Sequence, residues 1–104
     1  MNTSQNNYDF IERLIFDGGL RINTIEILPE SDLLLIITNK KMVLPQRLSS
    51  YVKLKGQNKS VLSNYKLIGD GVGINWPELD EDLSLKGFLE GFFISILSQY
   101  EVAA

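Results

Sequence analysis

Cysteine and histidine are both absent from this 104-residue chain. Their absence removes any disulfide framework, thiolate nucleophile, imidazole base and the usual zinc ligand sets. Most enzyme classes draw on one of these, so no catalytic residue, no cofactor and no metal site is expected. Tryptophan occurs once, as Trp76. The longest nearly unbroken apolar segment, Phe92 to Leu97, falls far short of the roughly 18 residues that span a bilayer, so no membrane helix is expected. MNTSQNNYDF, the N-terminal segment, has neither the basic nor the apolar region of a secretory leader, and with no cysteine to oxidise the expected compartment is the cytoplasm.

What is present suits one small globular domain: 44% of residues are hydrophobic and 22% charged. The net charge of -3 hides an uneven distribution. Residues 40 to 66 hold Lys40, Lys41, Arg47, Lys53, Lys55, Lys59 and Lys66 with no acid, and both flanks are acidic. Such a run most simply forms a solvated face. Binding of nucleic acid through Lys40, Lys41, Lys53 and Lys55 is a weaker alternative, because only Tyr51 and Tyr65 are at hand to stack on bases.

Hydrophobic periodicity divides the chain. Phe10, Ile11, Leu14 and Ile15 share a helical face from Tyr8 to Phe16, closed by Asp17-Gly18-Gly19. Residues 1 to 20 thus form an extension with a short helix, and residues 21 to 104 an α+β domain. Leu20, Ile22, Ile25 and Ile27 predict a strand to Leu28 whose slip between Ile22 and Ile25 marks a bulge. After the turn Pro29-Glu30-Ser31-Asp32, the apolar run Leu33 to Thr38 reads as the central, most buried strand, and Met42 to Leu44 as its partner, stopped by Pro45. Short helices follow at Arg47 to Lys55 and Ser60 to Tyr65. A second hairpin, Tyr65 to Ile68 with Val72 to Trp76, turns through Gly69-Asp70-Gly71. The expected fold is a single antiparallel sheet of about five strands with short helices and a long C-terminal helix packed on one face.

That last helix should start at Ser84, a good cap residue, and run to about Gln99. Its apolar residues, from Leu85 to Tyr100, cover an arc of about 180°, wider than the roughly 100° stripe of an ordinary surface helix. Gly87, Gly91, Ser95 and Ser98 line another side. This small face lies either on the protein's own sheet or N-terminal helix, or against a partner, including a second copy of the chain in a homodimer.

Gly69, Asp70, Gly71, Gly73, Ile74, Trp76, Pro77, Leu79, Asp80, Glu81, Asp82, Ser84, Gly87 and Leu89 form the pattern GDGVGINWPELDEDLSLKGFL. It resembles the signature of a family of small bacterial proteins catalogued as domain of unknown function 2442, and the similarity extends more loosely from Ile22 to Gly91. Two positions depart from it: Val72, where the family commonly has an aromatic residue, and Asn75, where it commonly has histidine. The resemblance implies an antitoxin-like or accessory role beside a small partner protein, and assigns no activity.

The acidic run Glu78, Asp80, Glu81 and Asp82 lacks the oxygen spacing and central glycine of a calcium loop. It is better read as a loop whose acids favour the N-terminus of the following helix. Trp76 beside it is either a half-buried plug or an interface anchor. The resulting expectation is a protein-protein interaction module without catalysis, contacting a small, toxin-like partner through Trp76, Asp80, Glu81 and Asp82 and secondarily through Gly87 and Gly91. A structural homodimer subunit and the weak nucleic-acid binder are the alternatives.

Overall fold

The computed structural model describes residues 9–102. A capping box starts the chain's first helix: the Asp9 carboxylate accepts from the Glu12 amide at 2.8 Å, and the Glu12 carboxylate accepts from the Asp9 amide at 3.0 Å. This helix, α1 (Phe10–Glu12), widens into a π-helical turn (Arg13–Asp17) that ends through Gly18 and Gly19. Ile15 and Leu20 are buried, and the Arg21 guanidinium donates to the Ile15 and Leu20 carbonyls, tying the segment to the strand that follows.

Two three-stranded antiparallel sheets replace the expected single sheet of about five strands. The first has the order β1 (Ile22–Leu28), β2 (Leu33–Thr38), β3 (Val43–Arg47). The second has the order β4 (Lys66–Ile68), β5 (Gly73–Trp76), β6 (Glu81–Ser84). As expected, β2 is central and its alternate residues Leu34, Ile36 and Thr38 are fully buried, and the register of β1 slips between Ile22 and Thr24. Pro45 does not stop β3, where it lies opposite Leu35. The strand is an edge, where a missing amide donor is tolerated.

Two of the four hairpin connections turn by the same device. Pro29-Glu30-Ser31-Asp32 joins β1 to β2 and Pro77-Glu78-Leu79-Asp80 joins β5 to β6, each as a 3-10 turn closed by a left-handed aspartate, φ 56 at Asp32 and 51 at Asp80. Proline presets the first φ, and aspartate tolerates the left-handed region better than most side chains. The segment after β3 reaches both turns. Leu48 and Ser49 donate backbone N–H groups to Asp32, the Ser49 hydroxyl adds a 2.6 Å bond, and Lys53 Nζ donates to the Asp80 carbonyl at 2.8 Å. These anchors account for the failure of the helix expected from Arg47 to Lys55. Only Leu48–Ser50 makes a 3-10 turn, Tyr51 is extended, and Leu48 and Leu54 are pulled into the core. The second short helix, α2 (Lys59–Leu62), starts one residue earlier than expected, on the Asn58 cap.

One core joins the sheets. Ile22, Ile25, Ile27, Leu34, Ile36 and Leu44 from the first meet Ile74 and Trp76 from the second, and Leu85, Phe88 and Leu89 from the C-terminal helix, α3 (Leu85–Val102), complete it. A backbone bond from the Ile22 amide to the Gly71 carbonyl, 2.7 Å, bridges the two sheets, and one from the Leu85 amide to the Val72 carbonyl, 2.9 Å, ties the start of α3 to the second. Gly71 is obligatory there, since its φ is +105 and a Cβ would lie 2.4 Å from the Ile22 carbonyl oxygen.

Candidate functional site

Strand β5 alternates, with Ile74 and Trp76 turned into the core and Asn75 on the opposite face. Trp76 is 1% exposed. Its indole N–H donates to the Leu62 carbonyl at 2.9 Å, and Tyr65 packs on it with ring centroids 6.5 Å apart. Of the two readings of this residue, the structure therefore places it as a plug, and a partner meeting this surface would not touch its ring.

The acids beside it are held by their own fold. Instead of a loop running into a helix, Glu81 and Asp82 belong to β6, and Asp80 closes the preceding turn, so the acidic run is turn and strand before α3 begins at Leu85. Glu78 accepts from Asn64 Nδ2 at 3.0 Å. Asn75 Nδ2 donates to the Asp82 carboxylate directly across the ladder, and Lys66 lies on the other side of Asn75 in register. This polar row Lys66, Asn75, Asp82 is what the histidine-to-asparagine departure occupies; period-two alternation from Trp76 points to Asn75, but only the strand pairing finds Asp82. The Glu81 carboxylate lies near Tyr51, whose hydroxyl burial pushes above its ordinary pKa with that charge adding to the effect; the hydroxyl donates to Gln46 at 2.6 Å. Among the described residues, no three acids gather in a way that would hold a metal ion.

The lysines of the nucleic-acid alternative do not form one patch. Lys40 and Lys41 lie in the turn before β3, while Lys55 acts on Asp32 beyond its far end and Lys53 is bound to Asp80. The length of β3 alone separates the pairs by about 14 Å.

The C-terminal helix yields the strongest surface. Ser84 caps it as expected, accepting from the Gly87 amide at 3.0 Å. Gly87 and Gly91 are both exposed, and nothing lies within 4 Å of where a Gly91 Cβ would be, so the small face is turned to solvent rather than onto a sheet. Full burial ends at Leu89. At 1.5 Å per residue the helix is about 27 Å long, whereas three strands at about 4.8 Å spacing offer a platform of little more than 10 Å. Beyond Leu89, Phe93 meets Phe10 of α1 with ring centroids 6.5 Å apart, while nearer the helix start Lys86 bridges to Glu12 at 3.1 Å. Phe10, Ile11, Phe93, Ile96 and Leu97, with Asp9 at the rim, line an open apolar groove of about 420 Å³. Phe10 is 68% exposed, Ile94 63% and Leu97 60%. The width of the helix's apolar arc, about 180° where one packed side takes roughly 100°, is the signal of this face in the sequence.

Among the described residues, no helix is long and apolar enough to cross a membrane. Among solved structures, the chain is similar to a crystallised protein of unknown function from Rhodospirillum rubrum, with a TM-score of 0.61 and 24% identity over 71% of this chain and 89% of that one. It is also similar to an uncharacterised protein of Chromobacterium violaceum solved by NMR, with a TM-score of 0.64 and 22% identity over 88% of this chain and 83% of that one. These likenesses show the fold. No curated protein matches the chain. The model of a family described as protein of unknown function, DUF2442, matches residues 22–93, which includes both sheets and the first half of α3, and the chain belongs to that family.

Proposed function

We propose that the chain is a non-catalytic protein-protein interaction module whose contact surface is the apolar face of α1 and the C-terminal half of α3. The observation that carries this reading is the exposure of Phe10 and Leu97 on the walls of one apolar groove that Ile11, Phe93 and Ile96 also line. Large side chains clustered at a rim of this kind mark a docking surface, whereas single exposed apolar residues do not. The sequence expectation of an antitoxin-like or accessory protein in the cytoplasm fits the same role.

A second reading keeps the small partner protein on the acidic hairpin, and one observation favours it: Glu78, Asp80 and Asp82 are exposed on a rigid turn and strand. That surface is charged and suits a basic partner. Affinity capture with the partner separates the two. Replacing Leu97 with Glu abolishes capture on the first reading, and replacing Asp80, Glu81 and Asp82 together with amides abolishes it on the second. Capture unaffected by either change would overturn both.

A further inference from the structure

We infer that the occupant of the α1–α3 face is a cationic amphipathic helix of a partner protein, whose apolar row fills the groove while lysines or arginines beside that row meet the groove's acids. The inference rests on the interaction-module reading and names the chemistry of the partner.

Charge selects the cation. Residues 9–17 and 85–102, the two segments that build the groove, hold five acids against two bases, Arg13 and Lys86. Lys86 is already paired within the chain: its ammonium lies 3.1 Å from Glu12 and 3.8 Å from Asp9, and Glu90 acts on it too, so three carboxylates share one cation. Arg13 is not part of the groove lining, whereas Asp9 is. Glu90 is exposed and stands one helical turn before Phe93 and Ile94. An acidic partner would be repelled by this surplus and a neutral one would leave it unanswered. A cationic partner is attracted to it, and the net charge of -3 acts in the same direction at longer range.

The lining decides the form of the occupant. Its walls come from α1 and α3, whose backbone groups are bonded within the helices, so the groove offers no free strand edge to an extended peptide. Recognition then runs through side chains, as when an amphipathic helix lies in an apolar groove. Phe93 and Leu97 are four residues apart, about 6 Å along α3, so the slot takes partner side chains at the same helical spacing. At the measured exposures Phe10 and Leu97 present roughly 250 Å² of mostly apolar surface, taking about 200 Å² for a whole large side chain. A stable protein-protein interface takes about 800 Å² per partner. The smaller area suits one helix held transiently, with a Kd on the order of 10–100 μM.

Fluorescence anisotropy of three labelled peptides, each about 14 residues long, titrated with the full chain tests this. The first peptide sets leucines at helical spacing (i, i+3, i+4, i+7) among lysines. The second has the same residues without that spacing, and the third has glutamate in place of lysine. The first should bind with a Kd on the order of 10–100 μM that rises with salt, and the others about tenfold or more weakly. Leu97→Ser should weaken the first peptide about tenfold through lost apolar contact. Glu90→Lys should weaken it about fivefold and strengthen the third, with far-UV circular dichroism native in both variants. Val52→Ser, at an 89% exposed position off this face, should change nothing. Failure of the first peptide to bind at about 1 mM overturns the cationic helix as occupant. So does equal binding of the first peptide and either other, or binding untouched by both Leu97→Ser and Glu90→Lys. Self-association of the chain that Leu97→Ser abolishes would also overturn it, by seating a second copy there. The interaction-module reading fails separately, if capture of a partner protein survives both Leu97→Glu and replacement of the three hairpin acids.

Discussion

Replacing Trp76 with Phe tests the placement of the single tryptophan in the core. The substitution removes the N–H that satisfies the Leu62 carbonyl at the end of α2. Leaving a buried acceptor unpaired costs about 1–3 kcal/mol. Phenylalanine is smaller than tryptophan by about 40 Å³, and at ~24 cal/mol per Å³ of cavity that adds about 1 kcal/mol. The expected loss is therefore about 2–4 kcal/mol, a large part of the 5–15 kcal/mol typical of a domain. For a chain near 100 residues it lowers Tm by roughly 10–25 °C. Urea unfolding followed by far-UV circular dichroism measures it without relying on the fluorophore that is removed. A loss below about 0.5 kcal/mol, the range of ordinary surface substitutions, would refute the burial of Trp76 and return it to the surface as a contact residue.

Three further outcomes are expected. Gly71→Ala should cost ~2 kcal/mol or more, because its Cβ would collide with the Ile22 carbonyl at positive φ; Gly56→Ala, at φ +77 with open space around it, should cost only about 1–2 kcal/mol for the left-handed backbone. Ser84→Ala should cost about 1 kcal/mol in the same urea titration, from the lost cap of α3. The Ser49 hydroxyl and amide hold the Asp32 carboxyl below its ordinary pKa against a smaller desolvation effect, so the stability they contribute is complete above that ordinary value and lost as pH falls through the lowered one. Ser49→Ala should accordingly destabilise the protein at neutral pH and make little difference at about pH 2, as read by denaturant midpoints. An unchanged difference at both pH values would contradict that linkage.

Much of the fold was legible because local pattern and tertiary outcome agree. The β1 slip, the central position of β2, the second hairpin's glycines and the Ser84 cap each follow from alternation or turn chemistry in a few neighbouring residues. Strand β6 was not legible. Its sequence, Glu81-Asp82-Leu83-Ser84, has the composition of a loop and becomes a strand only because β5 offers a free ladder and Asn75 a partner for Asp82. The division into two sheets was hidden for a similar reason: period-two patterns predict strands but not which edges pair. The helix expected from Arg47 to Lys55 had its apolar spacing right, yet Asp32 and Asp80, distant in sequence, capture the segment first. At the candidate site the acids drew attention by composition and prove to be tied into turn and ladder. Phe10 and Leu97 lie 87 positions apart, and no local pattern joins them.

The central claim, that the α1–α3 face is the working surface, is tested most directly by hydrogen exchange of the chain alone and with a captured partner protein. Amides of α3 after Leu89 lack deep burial and should exchange readily in the free chain. The account predicts that the partner raises protection there and in α1, and leaves the hairpin from Glu78 to Ser84 unchanged. Protection that the partner leaves unaltered, or that rises only at the hairpin, would contradict it.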